Sequence, residues 1–155
     1  MTRNLLVALA LTGSAALLAG ALAFQHFGGM APCKLCLWQR WPHAAAVFLG
    51  LVALVLPGRV LPMLGAGAAL TTAGIGLYHT GIERAWWQGP TTCTSGPISG
   101  ISSEELLNQI LAAPIVRCDE VAWSMAGLSM ASWNAVLSLA LVLVWIAAAT
   151  RGTRI

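Results

Sequence analysis

The chain has 155 residues, of which 58% are apolar and 8% charged, and its formal net charge is +3. A soluble domain carries about 25% charged residues, so this composition cannot cover a water-facing surface and the expected solvent is the lipid bilayer. The small net charge gives no support to a nucleic-acid partner.

Leu5 to Phe24 is uncharged and 20 residues long, the ~20 that a membrane-crossing helix needs. Arg3 and the small-residue run Ala21-Leu22-Ala23 also fit a signal peptide, but a signal core runs only ~7–15 residues. A retained helix over 5–24 is therefore expected. The stretch Pro32-Cys33-Lys34-Leu35-Cys36-Leu37-Trp38-Gln39-Arg40 follows, with two thiols three apart and a cation four residues after the second. The apolar run Trp41 to Leu56 has 16 residues, short for a span, and reaches full length if its helix starts back near Leu35. Pro42 is tolerated in a first turn and kinks a helix elsewhere. Pro57-Gly58-Arg59 ends the segment. Val60 to Tyr78 carries Gly65, Gly67, Ala69, Gly74 and Gly76, small residues that let membrane helices approach closely.

Thr80 to about Ser132 is a polar insert. The segment Glu104 to Leu111 predicts a short helix, stopped before Pro114. Val121 to Trp133 has two open readings: a segment lying in the membrane interface, or the start of the next helix. The last apolar run, Ala135 to Ala149, is the fourth span. The fold class expected is an all-α membrane protein, a bundle of four transmembrane helices in a single domain over 1–155. The spans fall at about 5–24, 41–56, 60–78 and 134–150, with outer loops at about 25–40 and 79–133.

Charge sets the orientation. Arg3, Arg59, Arg151 and Arg154 lie in three short pieces that share one side of a four-span chain, with no acid among them. The other side holds Lys34, Arg40, Arg84 and Arg117 against Glu83, Glu104, Glu105, Asp119 and Glu120, spread over a longer stretch. The positive-inside rule then puts both termini in the cytoplasm. All four cysteines, Cys33, Cys36, Cys93 and Cys118, face the oxidising side, where disulfides persist. Trp38, Trp41, Trp86, Trp87, Trp123 and Trp133 fall near that side too, as an aromatic belt would; Trp145 does not.

A Cys-x-x-Cys is a redox pair or half a zinc site. Zinc would want a second close pair, or histidines at ligand spacing. Cys93 and Cys118 stand 25 residues apart with no histidine near either, so no metal is expected. A structural staple suits Cys93 and Cys118. It suits Cys33 and Cys36 less, because so small a ring adds little loop constraint. If a helix starts near Cys33, then Cys33, Cys36 and Arg40 share one face, and the thiols sit where the helix dipole favours a thiolate, the attacking species in disulfide exchange. Spacing leaves Arg40 open between that role and an interfacial anchor reaching lipid phosphates. His26, His43 and His79 all lie near the outer interface, and His79 is the one expected to take part in binding.

The run Phe24-Gln25-His26, with Pro32 to Arg40, resembles the first outer loop of the DsbB family, the bacterial disulfide bond formation protein B. Tyr78-His79, Trp86-Trp87, Gly89-Pro90 and Cys93 form a second match. Cys118-Asp119, Trp123, Gly127-Leu128, Met130 and Trp133-Asn134 form a third. The resemblance covers nearly the whole chain. The stretch Thr94-Ser95-Gly96-Pro97 between Cys93 and Cys118 departs from it. The family reoxidises a DsbA-type periplasmic dithiol oxidase and passes the electrons to the membrane quinone pool, ubiquinone or menaquinone, in the bacterial inner membrane. The resemblance implies that Cys93 forms the mixed disulfide with that partner, that Cys118 resolves toward Cys33, and that Cys36 faces the quinone. It implies that Arg40 helps bind and activate the quinone.

Two other readings remain at this stage. A vitamin K epoxide reductase-like protein also has four helices and four cysteines, but its quinone-facing Cys-x-x-Cys lies in a late helix rather than the second. A non-enzymatic membrane scaffold would use the outer cysteines only as staples.

Overall fold

The computed structural model describes residues 1–91, 93, 102–112 and 116–151. Four long helices dominate it: α1 (Arg3–His26), α2 (Lys34–Val55), α3 (Val60–Glu83) and α5 (Met130–Thr150). A short helix α4 (Ser103–Ala112) precedes a hairpin of two tiny strands, β1 (Ser124–Met125) and β2 (Leu128–Ser129). The long helices have 21 to 24 residues, which is about 32–36 Å at the helical rise. Three of them, α1, α3 and α5, are long and apolar enough to cross a membrane. The fourth, α2, matches them in length but carries Lys34, Gln39, Arg40 and His43 in its first turns.

The helices close a ring in which α1 packs on α2, α2 on α3, α3 on α5 and α5 on α1. Away from the cysteines, the core is built largely of alanine: Ala10, Ala46, Ala53, Ala66, Ala69 and Ala148 surround Leu6, Val7 and the fully buried Trp145. Without a water-driven force between helices in lipid, such small residues allow the close backbone approach that dispersion needs. On α3 the buried stripe runs Gly65, Ala69, Thr72, Ala73, Gly76 and His79, the spacing of one helix face. Gly65 lies against the Trp145 ring, where a Cβ would stand 2.8 Å from it. Gly67 and Gly74, which the sequence groups with these, face open space.

Several boundaries differ from expectation. The helix expected over 41–56 begins at Lys34, because the Cys33 side chain caps it by accepting the Cys36 amide. The first outer loop, drawn at about 25–40, therefore shortens, and Cys36 and Arg40 stand on helix. Pro42 lies inside α2 rather than in a first turn. The second loop, drawn from 79, begins after Glu83, so His79 is helical too. The segment Val121 to Trp133 is neither of its two readings alone. Ala126 (φ 52°) and Gly127 (φ 77°) form a two-residue turn of the kind that matches hairpin twist. Ser129 then caps α5, and residues 130–133 belong to that helix. The hairpin is held to the bundle by Trp133, whose indole donates to the Met125 carbonyl (3.0 Å), and by Trp123 against Phe24 of α1 (5.2 Å).

Two anchors fix the ends of helices. Arg3 is buried and donates to the carbonyls of Ala53 (2.9 Å), Leu56 (3.1 Å) and Gly58 (3.2 Å), which satisfies orphan acceptors at the end of α2. At the other face of the bundle the last turn of α3 is clamped by Trp87. Its ring packs directly on Gly81 and stacks on Tyr78 (6.0 Å), and its indole donates to the Tyr78 carbonyl (3.0 Å).

Candidate functional site

The site begins at the first residue before α2. Cys33 is nearly fully buried, accepts the Cys36 amide (3.2 Å), and donates its S–H to the Cys36 sulfur at 2.7 Å. That hydrogen bond and burial push the Cys33 thiol up, leaving Cys36 as the sulfur toward which the shared proton points. Cys33 and Cys36 are free thiols, whereas Cys93 and Cys118 form a disulfide. The Cys118 amide donates to the Cys93 carbonyl (2.7 Å) and the Cys93 amide to the Pro90 carbonyl (3.0 Å). Beside Cys118, Arg117 grips Asp119 with two hydrogen bonds (3.0 and 2.6 Å), and this cation holds the Asp119 carboxyl below the usual range. Cys33, Cys93 and Cys118 belong to one buried apolar cluster with Leu35 and Ile82, and Cys36 packs against it. The helix cap and the loop thus bring together four sulfurs that the sequence places up to 85 residues apart.

His79 joins the two pairs. It is buried, and its Nδ1 lies 3.1 Å from the Gln39 amide nitrogen, which makes Nδ1 the acceptor and puts the ring proton on Nε2. Nε2 donates to the Cys118 carbonyl (3.1 Å) and stands 3.7 Å from the Cys33 sulfur and 3.9 Å from a Glu83 oxygen. One N–H therefore faces both cysteine pairs and an acid. Behind it, Gln39 accepts from Asn134 (2.7 Å), and Asn134 accepts from His43 Nε2 (2.9 Å) while also donating to Thr72 (3.1 Å). The sulfurs of Cys33 and Cys36 and the ring nitrogen of His79 lie within 4.8 Å of one another, a grouping that also fits a thiophilic metal. Its ring nitrogen, however, is engaged as a donor to Cys118.

Of the residues singled out from sequence, Cys33, Cys36, Arg40 and His79 all line one cavity of about 410 Å³ between α1, α2, α5 and the hairpin. Its other walls are mostly apolar, among them Leu17, Ala21, Phe24, Trp133 and Leu137. Arg40 donates to Gln25 (2.5 Å) and to the Ala21 carbonyl (3.4 Å) across to α1. Its Nε is buried with no protein partner among the described residues, and so is Nδ1 of His43. A mostly apolar cavity of this size with a few unspent polar groups has the character of a small-molecule site. An orphaned donor and an orphaned acceptor suit a ring bearing carbonyl and hydroxyl oxygens, so the residues present fit a quinone.

Reading the sequence missed Gln39, Asn134 and Glu83 as site residues. Polar side chains inside apolar helices are costly and mark function, and that signal was there for Gln39 and Asn134. Their pairing across 95 residues was not.

A family model for "Disulfide bond formation protein DsbB" matches residues 3–148. "Disulfide bond formation protein B 2" of Pseudomonas aeruginosa is 32% identical over 149 residues, covering 92% of this chain and 88% of that protein. "Disulfide bond formation protein B" of Stutzerimonas stutzeri is 32% identical over 157 residues, covering 92% and 93%. That of Pasteurella multocida is 31% identical over 150 residues, covering 89% and 84%. No solved structure matches the chain. A family match over nearly the full length, several apolar helices and a cluster of four cysteines lead to one conclusion: the chain belongs to the DsbB family of multi-pass bacterial membrane proteins, disulfide oxidoreductases of disulfide bond formation.

Proposed function

We propose that this protein is a thiol:quinone oxidoreductase of the bacterial inner membrane, which reoxidises a DsbA-type periplasmic dithiol oxidase and delivers the electrons to membrane quinone. The observation that supports this most is the gathering of all four cysteines, Cys33, Cys93 and Cys118 in one buried cluster with Cys36 packed against it, and the inner pair opening into an apolar cavity beside Arg40. In this reading all four long helices span, both termini are cytoplasmic, and the cysteine loops are periplasmic.

The residues divide the work. A thiolate of the incoming dithiol attacks Cys93, the Cys93–Cys118 bond breaks, and a mixed disulfide forms through Cys93. The partner's second thiol attacks that bond, and the oxidised partner leaves. Cys118 and Cys93 then hold two electrons and two protons more than before. By exchange through Cys118 and Cys33 they pass these to the inner pair, which becomes the dithiol as the outer disulfide re-forms. This last arrangement, outer disulfide with inner thiols, is the one the structure has. Bound in the cavity, a quinone supplies the two-electron, two-proton sink for the inner pair. Arg40 and His43 would hold it through their unpartnered nitrogens, in the cavity that Cys36 also lines, and the apolar walls would exclude water. His79 orients the exchange by holding the Cys118 backbone and the Cys33 sulfur on one side of its ring.

The test is electron transfer from a reduced thioredoxin-fold dithiol partner to a soluble quinone analogue by purified protein. Cys33→Ser and Cys36→Ser are expected to yield stable protein with no quinone reduction. A normal rate in either variant removes the mechanism, and a loss of protein abundance with electron transfer intact supports the scaffold instead.

A further inference from the structure

Exchange between the pairs moves protons as well as electrons. One S–S bond forms at Cys93–Cys118 and one breaks at Cys33–Cys36, so two electrons and two protons leave the outer pair and the same number arrive at the inner pair. Electrons pass through the sulfurs that bond. Protons need a carrier, because Cys33 is 4%, Cys93 1% and Cys118 0% exposed.

Glu83 stands where such a carrier is needed. It is the last residue of α3, and its side chain is 6% exposed. A second, smaller cavity of about 220 Å³ lies between the end of α3 and the hairpin, walled by Arg84, Val121, Ser124, Gly127 and Ser129. Among the described residues, Glu83 is the one that lines both this pocket and the larger cavity. Its two oxygens have different partners. Oε2 accepts from the Ser129 hydroxyl, in the wall of the smaller pocket. Oε1 lies 3.9 Å from Nε2 of His79, a residue in the wall of the larger cavity whose Nε2 is in turn 3.7 Å from the Cys33 sulfur. Ser129 is itself placed by Ser132 (3.0 Å), and Ser132 by Thr80 (3.0 Å), so the carboxyl is held from α5 as well as α3. The other ionisable groups around these two cavities are His43, Arg40, Arg84, Arg117 and Glu120. None of them lines both.

We propose that Glu83 is the proton carrier of the internal exchange, taking up a proton at one oxygen and releasing one from the other, between the smaller pocket and the His79–Cys33 side of the larger cavity. This rests on the two-disulfide reading given above. A carboxyl in the wall shared by the two cavities, with one oxygen on Ser129 and the other toward His79, gives protons a route between them.

The test uses full-length protein, quinone-free and oxidised at both pairs, mixed with a reduced thioredoxin-fold dithiol partner, quenched with acid and alkylated. Mass spectrometry follows each cysteine pair in time. Glu83→Gln keeps the shape and the acceptor for Ser129. The outer pair is expected to be reduced at the normal rate. Reduction of the inner pair slows on the order of 10²-fold, the range of general acid–base effects. Formate, a small diffusible acid, restores part of the rate, and Glu83→Asp falls between. In the wild type, infrared difference spectra of the same reduction show a carboxyl band that Glu83→Gln lacks. Glu83→Asp, which keeps a carboxyl at the same position, supplies the comparison if Glu83→Gln folds poorly. Inner-pair reduction at the normal rate in Glu83→Gln, or spectra without a Glu83 band, overturns the proton role. If the wild-type outer pair never reduces the inner pair, the two-disulfide reading fails and the proposal falls with it.

Discussion

Gln39→Met removes one amide at the centre of the site and little else. The substituted side chain has the same length and nearly the same volume, and the position is 7% exposed, so steric change is small. Two hydrogen bonds are lost, to His79 Nδ1 (3.1 Å) and from Asn134 (2.7 Å). Asn134 keeps Thr72 as a partner at 3.1 Å, whereas His79 Nδ1 is left as a buried acceptor without a donor. One orphaned buried group costs about 1–3 kcal/mol, and hydrogen bonds inside membrane bundles average nearer ~0.6 kcal/mol. The expected loss is therefore about 1–3 kcal/mol, dominated by His79. The second effect is on chemistry. Without Gln39 the ring is free to exchange its tautomer, so the Nε2 proton that bridges Cys118 and Cys33 is no longer assured. Transfer from the outer to the inner pair is expected to slow about tenfold, the equivalent of ~1.4 kcal/mol. Denaturant titration in detergent micelles gives the stability, and alkylation kinetics of each cysteine pair give the transfer rate. A change below about 0.5 kcal/mol, the scale of a neutral surface substitution, together with normal transfer would refute the account of His79.

Three further outcomes are expected. Cys118→Ala leaves Cys93 a free thiol that no longer oxidises a reduced dithiol partner; mixed with the oxidised partner, Cys93 attacks the partner's disulfide, one S–S bond forming as one breaks, and a complex through Cys93 is trapped by alkylation and visible by mass, whereas a complex through Cys33 contradicts the order of exchange. Arg40→Met, which loses one charge-assisted donor worth ~1.5–3 kcal/mol, raises KM for a quinone analogue about ten- to a hundredfold and leaves alkylation of Cys93 unchanged. Gly65→Ala drives a methyl group into the Trp145 ring, 2.8 Å away, and lowers stability by about 1–3 kcal/mol without altering thiol chemistry; a variant as stable as the parent shows that α3 and α5 pack less tightly than described.

Long uncharged runs such as Leu5 to Phe24 were legible as helices because nothing in them competes with that reading. The start of α2 was harder. Lys34, Gln39 and Arg40 are polar in an apolar chain, so the sequence offered a start near Leu35 only as a condition, and the Cys33 cap meets it. The same cap explains why Cys33 and Cys36 meet. Val121 to Trp133 defeated a reading by hydropathy because it turns a hairpin, with Trp123 as its one ring contact to α1 among the described residues, and Ala126 gives no sign of its left-handed backbone. The cysteines and Arg40 were visible as a motif. Gln39 and Asn134 stood in the matched runs without a role and Glu83 only as an acid of the outer side, since their roles depend on partners brought together by the ring of helices.

The clamp of Trp87 on Gly81 also sets a leash. Six residues carry the chain from Trp87 to Cys93, and a fully extended chain reaches at most ~20 Å over that length. In the proposed exchange, a docking protein has to come within that radius to meet the Cys93 sulfur. When it pulls, the strain ends at an indole packed on a backbone with no side chain in the way. The turn that carries His79 and Glu83 is thereby insulated from the traffic outside. Any side chain at position 81 would unseat the indole and let each docking event jolt the chemistry it feeds.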